Sequence, residues 1–449
     1  MSAEWLVERF VGEYGERPAM VWRDKPFSYG WLQEKAASFS GQLEQADLKR
    51  RIIALEGDYA PDTIAALFAL LMADNIVILL EPKLPAPQKE EYLNIAEASA
   101  CIHLVNGQIS YIVRGLRTVH HPLLSSLLQE GAAGLVLFSS GSTGKSKAVV
   151  HHADRLLSKF QRAGRSHRLI PFMLFDHIGG LNTLLQSLAS GGCLYIAEDR
   201  SPDAVCSMIE RYRIEALPTS PTFMRLLLLS GAYKDYDMSS LRIVSYGSEV
   251  MPQHTLELWN QQFPGVRTIQ AYGMSELGVL RTRSASSDSL SFSLAEGEAQ
   301  YRIVDRMLEL KSDTAMLGYL NAPSPFTADG WLRTGDEAVL EGNSIRILGR
   351  CSEMINVGGE KVYPAEVENV LQQMDVISEV AVSGEPSGIT GQLVKATVRL
   401  HKEMSLRELR GLIRSYCMER LPAYKIPQKV VVTTESLTSS RMKKIRKWN

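Results

Sequence analysis

Apolar positions along this chain switch repeatedly between a strand rhythm and a helix rhythm. Residues 21–29 alternate around Lys25-Pro26, which predicts a hairpin or two short strands; residues 28–48 then follow a helical period rich in helix formers. Short apolar runs at 52–55 and 76–80 read as strands, and residues 61–72 between them as a helix. The alternation continues as strand 135–138, helix 181–190, strand 193–197, helix 204–212 and strand 216–217. Strands separated by helices of this length predict an α/β fold: a large N-terminal domain of layered, mostly parallel sheets. After about residue 285 short strands and turns take over, as at 298–304 and 306–310, predicting a small β-region. Beyond Gly349, Arg350, Cys351 and Ser352 comes a compact segment: helix 365–373, strands 379–383 and 394–400, helix 405–420 and strand 429–433. It has the size of a small α+β domain, so the expected division is 1–349, a connector at 350–353, and 354–449. No repeat of short fixed period is present.

Composition narrows the function classes more than the fold. The chain has 449 residues, 45% hydrophobic and 22% charged, as in ordinary globular proteins of two or three domains. Its formal net charge is −1, and the one basic run, residues 441–447, reads as a solvated tail, so nucleic acid is not an expected partner. Cys101, Cys193, Cys206, Cys351 and Cys417 are odd in number and widely spaced, which gives no disulfide framework or zinc site and fits a reducing cytoplasm. The first residues carry early acids and no long apolar core, unlike a signal peptide. Residues 63–80 come nearest to a membrane span, but Asp74 and Asn75 interrupt them, so a buried helix followed by a strand is expected and no membrane partner.

The strongest chemical signal follows the strand at 135–138. Ser139, Ser140, Gly141, Ser142, Thr143 and Gly144 supply hydroxyls and closely approachable backbone amides, and Lys145 and Lys147 add positive charge. Such a loop suits a polyphosphate. It is not a Walker A loop: Gly144, Lys145 and Ser146 match its end, but Ser139 stands where its first glycine belongs.

What the loop does resemble is the Ser/Thr/Gly loop of the adenylate-forming superfamily of acyl-CoA synthetases, luciferases and peptide-synthetase adenylation domains. Further motifs occur in that family's order, from about residue 20 to 447. Gly247, Ser248 and Glu249 resemble the segment lining the adenine site. Tyr272, Gly273, Met274, Ser275 and Glu276 resemble its Y-G-x-[ST]-E motif, which implies Tyr272 against adenine, Ser275 at the α-phosphate and Glu276 as the Mg²⁺ ligand. Thr334, Gly335 and Asp336 resemble its T-G-D motif, with Asp336 and Arg350 reaching the ribose. Gly358 and Gly359 resemble the loop that borders a pantetheine tunnel and opens a mobile C-terminal domain, and Ser352 falls at the hinge, where the family usually has Asp or Lys. Aligned on Lys-Ile, Lys444 takes the place of the catalytic lysine, although Thr438, Ser439 and Lys443 depart from the pattern and Lys443 and Lys447 are neighbouring competitors.

The resemblance implies a reaction. ATP and Mg²⁺ activate a carboxylic acid as its adenylate, and a thiol then takes the acyl group, either that of CoA or the phosphopantetheine of an acyl carrier protein supplied in trans. Thr143, Glu276, His177 and Lys444 are the expected catalytic residues, acting by positioning and charge stabilisation. Asp176 and His177 fall in the segment facing the acid: a His-x-Gly-Gly reading fits acyl- and aryl-CoA ligases, a Phe-Asp reading fits amino-acid adenylation, and the sequence leaves both open. Thr219, Tyr246 and Gly247 are expected in the acid pocket, whose Ser, Thr, Tyr and Met content favours a small or aromatic acid. A CoA ligase, a stand-alone enzyme loading a carrier, and a nucleotide-binding relative without turnover all remain open at this level.

Overall fold

The structure is a computed structural model that describes residues 3–105, 107–115, 118–139, 146–439 and 444–445. Two seven-stranded sheets form the large lobe. One runs in the order Arg267–Gln270, Ile243–Tyr246, Ala216–Thr219, Arg168–Leu169, Cys193–Tyr195, Pro18–Trp22, Lys25–Ser28, all parallel except the last pair. The other has a parallel centre of Gly134–Ser139, Ile76–Leu80, Ile52–Glu56 and Ala100–Val105. Antiparallel strands close both of its flanks: Lys147–His152 and Gly318–Tyr319 on one side, Gln108–Val113 on the other.

The helix Pro61–Met72 explains how the two sheets stack. Proline opens it, and Ile64 to Leu71 are all buried. A helix apolar on every side has to lie inside a core. It shares one core with Ile178–Ala189, with Met20 and Leu194 of the first sheet, and with Leu55 and Leu137 of the second. The apolar run at 63–80 therefore divides into this buried helix and the buried strand Ile76–Leu80. Among the described residues no helix is long and apolar enough to cross a membrane.

The β-region is a six-stranded antiparallel sheet whose hairpin Leu332–Glu341 and Ser344–Arg350 leads to the small lobe. That lobe has its own sheet of Ile355–Val357, Glu360–Val362, Ile377–Ser387, Gly391–Leu400 and Lys429–Val432. Its core, which includes Val367, Val382 and Ile413, is separate from those of the large lobe. Ser405 caps the helix Leu406–Met418 in a reciprocal box with Glu408, as the expected helix start at 405 requires.

Differences from the sequence reading are local. The expected strand 193–197 ends at Tyr195, and that at 216–217 extends to Thr219. Apolar rhythm alone does not pick out the helices Ala3–Tyr14, Ala86–Ile95, Pro122–Glu130, Pro221–Ser230 and Gln253–Gln262. Most are short, and Ala86–Ile95 buries only Tyr92 and Leu93, so its sequence carries almost no stripe.

Candidate active site

In an open parallel sheet, ligands collect beyond the carboxyl ends of the strands. Thr219, Tyr246 and Gln270 stand side by side at those ends in the first sheet. Gly247, Ser248 and Tyr272 follow directly after them. Gly247 sits where a Cβ would come within 2.8 Å of the Ala271 carbonyl oxygen. Ser248 has φ +70°, a left-handed conformation that a non-glycine residue holds at a cost and that clusters at ligand-binding turns. Tyr246 is buried and its hydroxyl reaches the Ser289 carbonyl at 3.4 Å, while the buried Thr219 hydroxyl has no hydrogen-bond partner among the described residues.

The phosphate-type loop joins two antiparallel strands. Ser139 is paired with Lys147 and Phe138 with Ala148. Ser140, Gly141, Ser142, Thr143, Gly144 and Lys145 lie outside the described residues. The base of the loop is tied down: Asn321 accepts from the Ala148 amide and donates to the Ser146 carbonyl, both at 2.9 Å. Lys147 lies over the ring of Tyr319, Nζ 4.9 Å from its centre. The Tyr319 hydroxyl donates to Glu276 Oε1 at 2.6 Å. Lys147 and Glu276, far apart in sequence, are thereby brought to the two ends of one tyrosine. Beside Glu276, the Ser275 carbonyl lies 2.6 Å from His151 Nε2.

A second cluster forms on the hairpin of the β-region. Asp336 and Arg350 are directly paired across it, and Arg350 Nε lies 3.3 Å from Asp336 Oδ1. The Tyr272 hydroxyl donates to Asp336 Oδ2 at 2.6 Å, and the Tyr272 ring stacks on Phe292. Burial raises the Asp336 pKa, against the lowering effect of Arg350 and the Tyr272 hydroxyl. This is a buried carboxylate whose oxygens already accept donors, an arrangement suited to a pair of sugar hydroxyls.

Other expected residues fall elsewhere. His177 caps the helix Ile178–Ala189, its Nδ1 accepting from the Gly179 amide at 3.0 Å, which leaves Nε2 to carry the proton of the neutral ring. Asp176, beside it, is buried. Gly358 and Gly359 form the exposed tip of the hairpin Ile355–Val357 and Glu360–Val362, with φ of +62° and +94°. Ser352 is exposed in the single turn Cys351–Glu353. Glu249 turns toward the small lobe: Oε2 accepts from the Thr222 hydroxyl at 2.6 Å and Oε1 from the Lys444 amide at 2.7 Å. The Lys444 ammonium is 2.8 Å from the buried Glu368.

This arrangement has close counterparts in known proteins. Residues 7–332 match the family described as AMP-binding enzyme, and residues 366–444 match the AMP-binding enzyme C-terminal domain. The chain belongs to the AMP-binding enzyme family. It is 32% identical over 315 residues to a 3-[(3aS,4S,7aS)-7a-methyl-1,5-dioxo-octahydro-1H-inden-4-yl]propanoyl:CoA ligase of Mycobacterium tuberculosis, a match covering 66% of this chain and 61% of that protein. Against a 2-succinylbenzoate–CoA ligase of Listeria monocytogenes it is 25% identical, covering 99% of this chain and 97% of the other. The fold matches that of an anthranilate CoA ligase in complex with anthranoyl-AMP, at TM-score 0.83 and 21% identity over 99% of this chain and 95% of that one.

Several residues packed around these clusters of the AMP-binding enzyme have no signal in the sequence. Tyr319 ends the two-residue strand Gly318–Tyr319 and Asn321 follows it, and only the fold carries them to Ser146 and the strand Lys147–His152. Glu337, next to Asp336, accepts from Tyr363, and Arg306 and Lys361 surround it at 3.2 and 3.3 Å. His151 is fully buried beneath the site, and burial pushes its pKa down to about 4. A pKa that folding lowers from 6.5 to about 4 leaves stability intact above pH 6.5 and removes it as pH falls through 4, by about 3 kcal/mol in all. His151→Gln, which can still donate to Ser275, is therefore expected to flatten the loss of stability between pH 6.5 and 4 in urea titrations. An unchanged slope would mean that His151 does not titrate there.

Proposed function

We propose that this protein is an AMP-forming carboxylic acid ligase that adenylates a small acyl or aromatic acid and passes the acyl group to CoA. One observation carries the reading. A buried carboxylate, Asp336, meets Tyr272 and Arg350 beside strand ends whose strained turn, Gly247-Ser248, can receive a base. The named relatives are all CoA ligases, which supports CoA as the acceptor.

A carboxylate is a poor electrophile, because its negative oxygens repel nucleophiles and leave badly. Attack of a carboxylate oxygen on the α-phosphorus of ATP, with pyrophosphate expelled, turns that oxygen into part of an AMP leaving group. In this chain Asp336 would hold the ribose hydroxyls and Tyr272 the adenine edge, and Lys147 would face the phosphates. Glu276 fits a Mg²⁺ ion: among the described residues its carboxylate accepts only at Oε1, and Mg²⁺ usually takes one or two carboxylates and completes its shell with phosphate oxygens and water. His177 Nε2–H would donate to the acid, and Lys444 would stabilise charge shared by the carboxylate and the α-phosphate. Residues 350–353 would then act as the hinge between adenylation and transfer to the thiol, with Gly358 and Gly359 beside the incoming pantetheine.

AMP release should depend on both the acid and CoA, and acid with ATP alone should give no sustained turnover. Release sustained by a phosphopantetheinyl carrier but not by CoA would replace CoA as the acceptor. Within the same assay Glu276→Gln is expected to raise the Mg²⁺ concentration needed for half-maximal rate roughly ten-fold or more, the loss of one charged ligand. An unchanged Mg²⁺ requirement would remove Glu276 from the metal.

A further inference from the structure

Glu249 follows Gly247-Ser248 directly, so the sequence places it with the nucleotide. Its carboxylate is committed elsewhere. Oε2 accepts from the Thr222 hydroxyl at 2.6 Å and from the Thr222 amide at 3.3 Å, at the N-terminus of the helix Pro221–Ser230. A helix start carries partial positive charge, which attracts a carboxylate oxygen to its free amides. Oε1 is left to reach across to the small lobe, where it accepts the Lys444 amide at 2.7 Å.

The small lobe presents that amide from a braced segment. Thr438 and Lys444 form an antiparallel bridge, the Ile445 amide donates to the Leu437 carbonyl at 2.8 Å, and the Leu437 amide donates to Glu379 at 2.8 Å. Glu368, held by the Val382 amide, meets the Lys444 ammonium from the same lobe. Lys444 is thus gripped by a carboxylate from each lobe.

Among the described residues, the neighbouring hydrogen bonds between the lobes at this end are long. Glu249 and Lys444 line a cleft of about 540 Å³ shared with Arg225, Thr255 and Ser378. The Thr255 and Ser378 hydroxyls in it have no hydrogen-bond partner among the described residues. The Arg225 guanidinium reaches the Gln372 and Ser378 carbonyls only at 3.4 and 3.5 Å, and the nearby His254 amide reaches Asn369 at 3.3 Å. Hydrogen bonds weaken steeply at such lengths, so the 2.7 Å bond to a charged acceptor dominates the docking of this end of the lobe.

We propose that Glu249 is a positioning residue for adenylation: it docks the segment bearing Lys444 onto the large lobe. The proposal rests on the reading of Lys444 as the adenylation lysine.

Hydrogen–deuterium exchange on the full chain, with AMP as the only ligand, tests the docking without knowledge of the acid. Glu249→Ala is expected to raise the exchange rate of the peptide containing Lys444 roughly ten-fold, with AMP affinity unchanged, and Glu249→Gln, which keeps an acceptor, to restore most of the protection. Unchanged protection in Glu249→Ala would overturn the proposal. So would weakened AMP binding, which would return Glu249 to the nucleotide. In ATP–pyrophosphate exchange, Glu249→Ala should lower kcat and leave KM for ATP in place, and Glu249→Ala with Lys444→Ala should be no slower than Lys444→Ala alone. Additive losses would overturn the proposal. Full activity of Lys444→Ala would refute the role of the lysine itself, while the deuterium result would still decide whether Glu249 docks its segment.

Discussion

Lys444→Ala is expected to slow ATP–pyrophosphate exchange roughly 10²–10³-fold, the usual consequence of removing one donor aimed at transition-state charge. The structure explains why so much should depend on one side chain. Its amide and its ammonium are both held, by Glu249 and Glu368, and an ammonium has three donors, of which Glu368 need take only one. Thioester formation from a synthetic acyl-adenylate, where no charge develops on ATP, should survive the same substitution. Lys444→Arg should recover only part of the exchange, because a planar guanidinium does not replace a compact ammonium. Exchange unchanged in Lys444→Ala would move the role to another lysine, Lys443 or Lys447 being the nearest.

The second large effect is expected at the ribose cluster. Asp336→Asn preserves the shape of the hairpin but removes the charge that attracts Arg350, the Tyr272 hydroxyl and the sugar hydroxyls. Loss of charge-assisted hydrogen bonds in a buried site predicts AMP affinity roughly 10–100-fold weaker by calorimetry, with a matching rise in KM for ATP. The turnover rate at saturating ATP should change less, since these bonds are made before and during the reaction alike. An AMP affinity equal to wild type would take Asp336 out of the nucleotide site.

The sequence was most informative where one residue type can satisfy one physical demand. The helix Pro61–Met72 and the strand Ile76–Leu80 are legible to the residue because burial on all sides requires unbroken apolar runs with turn residues between them. Asp336 and Arg350 were legible as separate motifs, and the hairpin that pairs them supplies the contact. Tyr319 and His151 were not legible: each matters through a partner more than a hundred residues away in sequence that only the fold brings near, Lys147 for Tyr319 and Ser275 for His151. Glu249 shows a different limit. Its neighbours Gly247 and Ser248 fix where its backbone lies, but the direction of a flexible carboxylate depends on Thr222 and Lys444, which belong to other elements.

The central claim is that this chain activates a carboxylic acid by transferring AMP to it. ATP–pyrophosphate exchange across a panel containing anthranilate, 2-succinylbenzoate, indoleacetate, short acyl acids and amino acids tests it most directly. The account predicts Mg²⁺-dependent exchange that requires one acid class, most strongly a small or aromatic acid, and that collapses in Lys444→Ala. Tight binding of AMP by the wild-type protein with no exchange for any acid in the panel would contradict it.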